Sequence, residues 1–207
     1  MPKDAILTIT AETLLNFYKD GLFPMADSAL DSGFHLLKPS MRCVFTFENF
    51  HIPRSLKKFM RKIEDTQEWV ITRNQDFTGV ITLCRSTNPK RSETWINQDI
   101  FGLFMELHAL GHAHSVEVWD AQTGALLGGL YGLALGRVFC GESMVSLKPN
   151  VSSVALVYLM HHLKQKGFVL CDAQFENPHL QKFHPEIISL QKYLSILHEG
   201  LKNPAEF

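Results

Sequence analysis

The sequence predicts an α+β fold with a small N-terminal α/β domain, residues 1–50, and a larger domain, residues 51–207, built on a mixed sheet. Three observations carry the prediction. Stretches of helical periodicity interleave with short β-rich runs along the chain. From Gly128 to Ser146 the chain is apolar, β-rich and glycine-laden, and Gly136-Arg137 breaks it as a hairpin turn would. Lys148-Pro149-Asn150 then ends the sheet and leads into a helix and a returning strand. One carboxylate, Glu142, stands in the second half of the hairpin among residues that should be buried, where a lone acid is costly unless paired or used.

The 207 residues, 45% hydrophobic and 20% charged, suffice for a core of ordinary globular size. No apolar run approaches the roughly 20 residues that span a bilayer. Met1-Pro2-Lys3-Asp4 lacks the basic-then-apolar order of a signal peptide, so a soluble cytoplasmic protein is expected. Cys43, Cys84, Cys140 and Cys171 lie far apart beside apolar residues and read as reduced core residues. The net charge of −1 argues against a general nucleic-acid binder, but it conceals a local excess. Lys38, Arg42, Arg54, Lys57, Lys58, Arg61 and Lys62 face only Glu48 within that stretch. Such a run suits a phosphate backbone, and it equally suits the solvated face of an amphipathic helix.

In order along the chain, Thr10 caps a helix over Ala11 to Asp20, whose Leu14, Leu15 and Tyr18 follow helical spacing, and Gly21 stops it. Residues 41–47 read as a strand. Pro53 opens a helix with Leu56, Phe59, Met60 and Ile63 on one face and the basic residues on the other. A strand near Glu68–Thr72 precedes a helix from Asp76 that buries Phe77, Val80, Ile81 and Cys84, and a polar break follows at Arg85–Glu93. Trp95 stands at the edge of the next element. An aromatic there can stack on a base, though it is more often a core anchor. Asn97 caps a helix of Ile100, Leu103, Phe104, Leu107 and Leu110 ending at Gly111. Ser115–Trp119, a turn at Asp120–Gly124, and strands near 125–135 and 137–144 make an antiparallel meander. Ser152 or Ser153 starts a helix through Leu163, and Phe168–Gln174 is the last clear strand. The tail carries a short helix near Pro178–Phe183, a break at Pro185 and an amphipathic helix at Leu190–Leu197.

A strand, a loop-to-helix unit and a returning strand after a meander form the pattern of GNAT-like acyltransferases. In a strand, residues i and i+2 share a face, so Asp172 and Gln174 project together and the amide can orient the carboxylate. On the GNAT-like pattern Glu142 lies near them. Two acids and an amide around an apolar pocket suit proton removal from an amine nucleophile, and they also suit binding a cation. The loop before the central helix, Leu147 to Ser152, has no glycine and carries Pro149. It therefore lacks the free amides that hold the pyrophosphate of acyl-CoA in such folds. His112 and His114, and His161-His162, have no third ligand at a metal-site spacing, and no nucleotide fingerprint is present. No metal and no cofactor are expected.

Several blocks together resemble one family. Phe23-Pro24-Met25, Thr94-Trp95-Ile96, the run Leu107-His108-Ala109-Leu110-Gly111-His112-Ala113-His114-Ser115-Val116-Glu117-Val118-Trp119, Gly128-Gly129-Leu130-Tyr131-Gly132, Phe139-Cys140-Gly141-Glu142-Ser143-Met144 and Asp172-Ala173-Gln174 are similar, in order, to leucyl/phenylalanyl-tRNA protein transferases. The resemblance implies a GNAT-like C-terminal domain that moves Leu or Phe from Leu-tRNA or Phe-tRNA to proteins or peptides with N-terminal Arg or Lys. The product is a degradation signal. No membrane partner and a monomer are expected.

By position, Asp172 and Gln174 match the catalytic acid-and-amide pair, and Glu142 matches the acid near the ester and acceptor amine. Leu130, Phe139, Gly141, Met144, Ser146, Leu156, Leu159, Leu163 and Cys171 match the pocket for the aminoacyl side chain. Trp95 and Phe104 match aromatic positions near the terminal adenosine. Arg42, Arg54, Lys57, Lys58, Arg61 and Lys62 become a landing site for the tRNA. The sequence departs from the family where Leu36-Leu37-Lys38-Pro39 replace a Trp-bearing segment before Arg42, and where Asn150-Val151-Ser152-Ser153 replaces Asn-Ala-Ser-Lys. Two other readings stay open on the residues. One is a GNAT-like acyltransferase with another donor, such as acyl-CoA or a peptidoglycan-type aminoacyl-tRNA. The other is a module that binds basic protein N-termini through Glu142 and Asp172 without chemistry.

Overall fold

The computed structural model describes residues 9–86 and 93–207. The expected polar break at Arg85–Glu93 lies largely outside the described residues, as does the N-terminal tetrapeptide. The chain runs α1 (Ala11–Lys19), β1 (Phe23–Met25), β2 (His35–Leu37), β3 (Met41–Phe45), α2 (Arg54–Thr66), β4 (Trp69–Arg73), α3 (Phe77–Arg85) and α4 (Gln98–Ala109). It continues with β5 (Ala113–Asp120), β6 (Leu126–Leu135), β7 (Val138–Ser146), α5 (Val151–Gln165), β8 (Leu170–Asp172), α6 (Pro178–Gln181), β9 (Glu186–Ser189) and α7 (Leu190–Lys202). A seven-stranded mixed sheet of order β4-β5-β6-β7-β8-β3-β9 is antiparallel except between β7 and β8, which α5 connects as a crossover. β1 and β2 form a separate antiparallel pair.

The expected caps Thr10 and Asn97 accept from the amides of Thr13 and Ile100 at 3.2 and 2.9 Å, and Asp76 caps α3 in the same way, accepting from Gly79 at 2.8 Å. Helix α5 starts at Val151 rather than at the serines, because Asn150 takes a left-handed φ of 70° and becomes its N-cap. β8 is shorter than the expected 168–174, and α7 runs on to Lys202. The expected boundary at residue 50 falls after β3, yet β3 is hydrogen-bonded into the large sheet between β8 and β9.

Helices cover both faces of the sheet. On one, α1, α3, α4 and α7 bury Leu14, Tyr18, Val80, Ile100, Phe104, Tyr193 and Leu197. On the other, α5 and α2 bury Val154, Leu159, Leu163, Leu56, Met60 and Ile63. The buried Glu117 of the His-Ser-Val-Glu-Val-Trp block serves this frame. It accepts from Thr72 at 2.6 Å and from Ser115, and Trp119 Nε1 donates to Thr72 Oγ1 at 2.7 Å, so the carboxylate ties β4 to β5. Among the described residues no helix is long and apolar enough to cross a membrane.

The β6–β7 hairpin turns on two residues, Gly136 and Arg137. Gly136 has φ +59°, and a Cβ there would meet the Gly200 carbonyl oxygen at 2.4 Å, so only glycine lets α7 close over the turn. Further along, Tyr131 pairs with Ser143 but Gly132 pairs with Gly141. One residue of β7 is left over, and that residue is Glu142. The bulge breaks the alternation of β7 and re-aims the acid.

Candidate functional site

The parallel pair β7–β8 is short: Val138, Phe139 and Cys140 face Leu170, Cys171 and Asp172, and the ladder ends there. Beyond it β7 stays with β6, whereas the chain after β8 goes with β3, since Ala173 donates to the Cys43 carbonyl at 2.8 Å and Cys43 to that of Gln174 at 3.1 Å. Two strands that part in this way leave a wedge at their C-terminal ends. A cavity of about 580 Å³ fills it, within the ordinary range for a small-molecule site.

Of the residues expected to form the side-chain pocket, Leu130, Gly141, Met144, Ser146, Leu156, Leu159 and Cys171 line this cavity. Phe139 and Leu163 do not. Both are wholly buried in the core behind that wall, because they point into the α5 side of the sheet. Trp95 lines the cavity, but Phe104 is wholly buried and meets Tyr131 edge-on at 5.2 Å. Tyr131 takes the lining position instead, together with Phe23, Pro24 and Met25 from β1. Arg54, Lys57, Lys58, Arg61 and Lys62 are exposed on α2, and among the described residues none of them makes an ion pair.

Arg42 is displaced from its expected place among the surface cations. It is 1% exposed, because β3 carries it into the sheet interior. Its Nε donates to Asp172 Oδ1 at 3.2 Å, Nη2 pairs with Asp172 Oδ2, and Nη1 donates to the Gly21 carbonyl at 3.3 Å. The rings of Phe23 and Tyr193 lie 5.0 and 4.5 Å from the guanidinium carbon. A buried pair of this kind costs about 3–5 kcal/mol to break by removing one partner.

The expected shared strand face of Asp172 and Gln174 is not formed. β8 ends at Asp172, and Gln174 takes a left-handed φ of 54°. Its backbone N–H, not its side chain, donates to Asp172 Oδ1 at 2.9 Å. The side-chain Nε2 instead donates to Glu142 Oε1 at 3.2 Å. Arg42, Asp172, Gln174 and Glu142 therefore form one chain of contacts from the core to the cavity wall.

Burial raises the Glu142 pKa from its ordinary 4.5 to about 8; the Tyr18 hydroxyl and Arg42 oppose the rise, while Asp172 adds to it. Tyr18, on α1, is a member of the site that sequence reading missed, since its spacing marks only a core position. Its hydroxyl is buried without a hydrogen-bond partner in good geometry, yet it stands close enough to Glu142 to act on the carboxyl. Glu176 and Asn177 of the following loop and His179 of α6 also border the cavity. Among the described residues no three His, Cys, Asp or Glu side chains group to hold a metal. An apolar cavity that ends on an acid holding its proton up to about pH 8 can seat an aliphatic or aromatic side chain beside a group able to exchange a proton with an amine.

Residues 44–198 match the family described as leucyl/phenylalanyl-tRNA protein transferase. Curated relatives carry that name. The protein of Maricaulis maris is 44% identical over 95% of this chain and 88% of its own length. That of Cereibacter sphaeroides is 43% identical over 96% and 88%, and that of Shewanella baltica 43% over 94% and 79%. Among solved structures, that of FemX is similar with a TM-score of 0.53 at 10% identity, covering 91% of this chain and 65% of that one, a likeness of fold.

Proposed function

The chain belongs to the leucyl/phenylalanyl-tRNA protein transferase family, and on that premise we propose that it moves leucine or phenylalanine from charged tRNA to the N-terminal amine of proteins beginning with Arg or Lys, marking them for degradation. It acts as a cytoplasmic monomer with a GNAT-like catalytic fold. The observation that carries the reading is the cavity, whose apolar wall meets Glu142 and Gln174 at one end.

The aminoacyl side chain lies against Leu130, Met144, Leu156, Leu159 and Cys171. A pocket of this kind selects by shape, pressing on a branch at Cβ while Leu and Phe extend past it. The acceptor nitrogen attacks the ester carbonyl carbon, and the bond from that carbon to the ribose 3′-oxygen breaks. The nitrogen loses one proton and the departing oxygen gains one. Glu142, at about 8, is matched to an α-amino group, which titrates at about 7.7–8.0, so the proton passes between them at little cost. Gln174 orients Glu142 through its amide. Asp172, held by Arg42 and the Gln174 N–H, is the positioning residue that fixes this corner of the cavity. The exposed cations of α2 hold the acceptor stem.

Incubation with Leu-tRNA or Phe-tRNA and an Arg-initiated peptide tests the proposal. Mass spectrometry should find the peptide extended by one residue, with acyl-CoA unable to replace the charged tRNA. No extension from either charged tRNA overturns it, and extension from acyl-CoA transfers the reading to the other GNAT-like donor class.

A further inference from the structure

Three carboxylates border the cavity: Glu142, Asp172 and Glu176. They differ in what already occupies them. Asp172 is wholly buried and spent on Arg42 and the Gln174 amide. Glu142 accepts from Gln174 and sits in the bulge of β7. Glu176 is exposed, and Gln181 Nε2 donates to its Oε1 at 3.1 Å. That neutral contact fixes the side chain at the rim without matching its charge. Among the described residues Glu176 makes no ion pair.

Its place along the chain is also telling. Glu176 lies two residues beyond Gln174, so the two Cα atoms are separated by at most about 7 Å. An arginine or lysine side chain has a similar reach. An acceptor whose α-amine meets Glu142 and Gln174 can therefore bring its own side-chain cation to Glu176 without leaving the cavity. Between them Phe175 is 45% exposed and meets Phe23 edge-on at 5.5 Å, an apolar ledge for the methylenes of such a side chain. The field of Glu176 reaches inward as well, since it contributes, after burial and Asp172, to holding the Cys43 thiol up at about 11.

We infer that Glu176 is the residue that selects a basic first residue in the acceptor, pairing with its guanidinium or ammonium while the α-amine is presented to the ester. The inference rests on the transfer reaction proposed above and adds a specificity determinant to it. A carboxylate at a partly wet rim recognises a cation by charge and geometry, and guanidinium more firmly than ammonium because it bonds in a fork.

The experiment uses the full chain with Leu-tRNA and three peptides that differ only in their first residue: arginine, its uncharged isostere citrulline, and glutamate. Wild type should prefer arginine over citrulline through KM. Glu176→Gln keeps the side chain's size, and it should raise KM for the arginine peptide about five- to tenfold with kcat and the KM of Leu-tRNA unchanged. The citrulline peptide should not respond. Glu176→Lys should reverse the order and favour the glutamate peptide. Both variants alter an exposed side chain, and equal melting temperatures would establish that they fold. If wild type extends the arginine peptide while Glu176→Gln leaves its preference over citrulline intact, the inference fails and the transfer reaction stands. A rise in the KM of Leu-tRNA instead would also overturn it, assigning the carboxylate to the donor. If wild type extends no peptide, the underlying reaction itself fails.

Discussion

At the scale of single residues, Glu142 is set by burial more than by any partner, and that makes it sensitive to pH in two ways. The folded chain keeps its proton up to about 8, whereas an unconstrained glutamate releases it near 4.5. Between those values the folded state binds one proton more than the unfolded state. The contribution to stability is therefore full below about 4.5 and is lost as pH rises towards 8. Glu142→Gln should remove that decline, which thermal melting from pH 5 to 9 would read directly. With Glu142 as the base proposed above, catalysis runs the opposite way, because a base works only once ionised. The acceptor amine titrates in the same region, so log kcat/KM for wild type should climb with a limiting slope near two, and for Glu142→Gln with a slope near one and a rate lower by about 10²–10⁴. An unchanged slope would remove Glu142 as the base. Glu142, Asp172 and Gln174 were legible because acids and an amide in apolar strands need a reason to be there. Arg42, the partner of Asp172, likewise interrupts the apolar strand Met41–Phe45, but the basic residues that follow make it look like one more surface cation. The contact of Arg42 with Asp172, 130 residues away along the chain, and the approach of the Tyr18 hydroxyl to Glu142 are facts of tertiary structure that no local pattern encodes.

At the scale of elements, the long segments could be read, and so could the four-residue α6 behind Pro178, but β1, β2 and β9 could not. Helices α2, α4 and α5 and the β5–β7 meander carry enough residues to display a period, whereas β1, β2 and β9 have three or four residues each and none to display. The β7 bulge was hidden for a related reason, since a bulge appears only when two strands are laid in register. It depends on Gly132, where a Cβ would stand 2.2 Å from the Cys140 carbonyl oxygen and 2.5 Å from the Phe139 ring. Gly132→Ala must therefore push β6 and β7 apart at the point that aims Glu142. The expected cost is about 1–3 kcal/mol of stability, typical of overpacking, with a loss of activity that persists at temperatures where the variant is fully folded. Chemical denaturation and steady-state rates on one preparation would separate the two. Wild-type activity in a folded Gly132→Ala would mean that the bulge does not aim the acid.

At the scale of the whole molecule, the cavity exists because the sheet divides its loyalties, β7 staying with the meander and β8 with β3. The β3 strand comes from the first quarter of the sequence, which is why a division into consecutive domains at residue 50 cannot be drawn through this sheet from pattern alone. The remaining large-scale question is how a chain of net charge −1 holds a polyanion. On the proposed reading helix α2 answers by separation of faces: Leu56, Met60 and Ile63 join the same apolar cluster as Leu130, Leu156 and Leu159 of the cavity wall, and the opposite face holds five exposed cations. A stem gripped there acts at a distance from the reacting ester. Changing Lys57, Lys58 and Arg61 together to Glu should therefore weaken tRNA binding and lower the slope of log affinity against log salt by roughly 2 to 3, one released counterion or slightly less for each lost phosphate contact. An aminoacyl-adenosine carries the reacting ester and the terminal base without the stem, so its use should be spared. Equal losses with both donors would show that the face serves the fold or the cavity instead, and a spared tRNA would move the landing site to another surface.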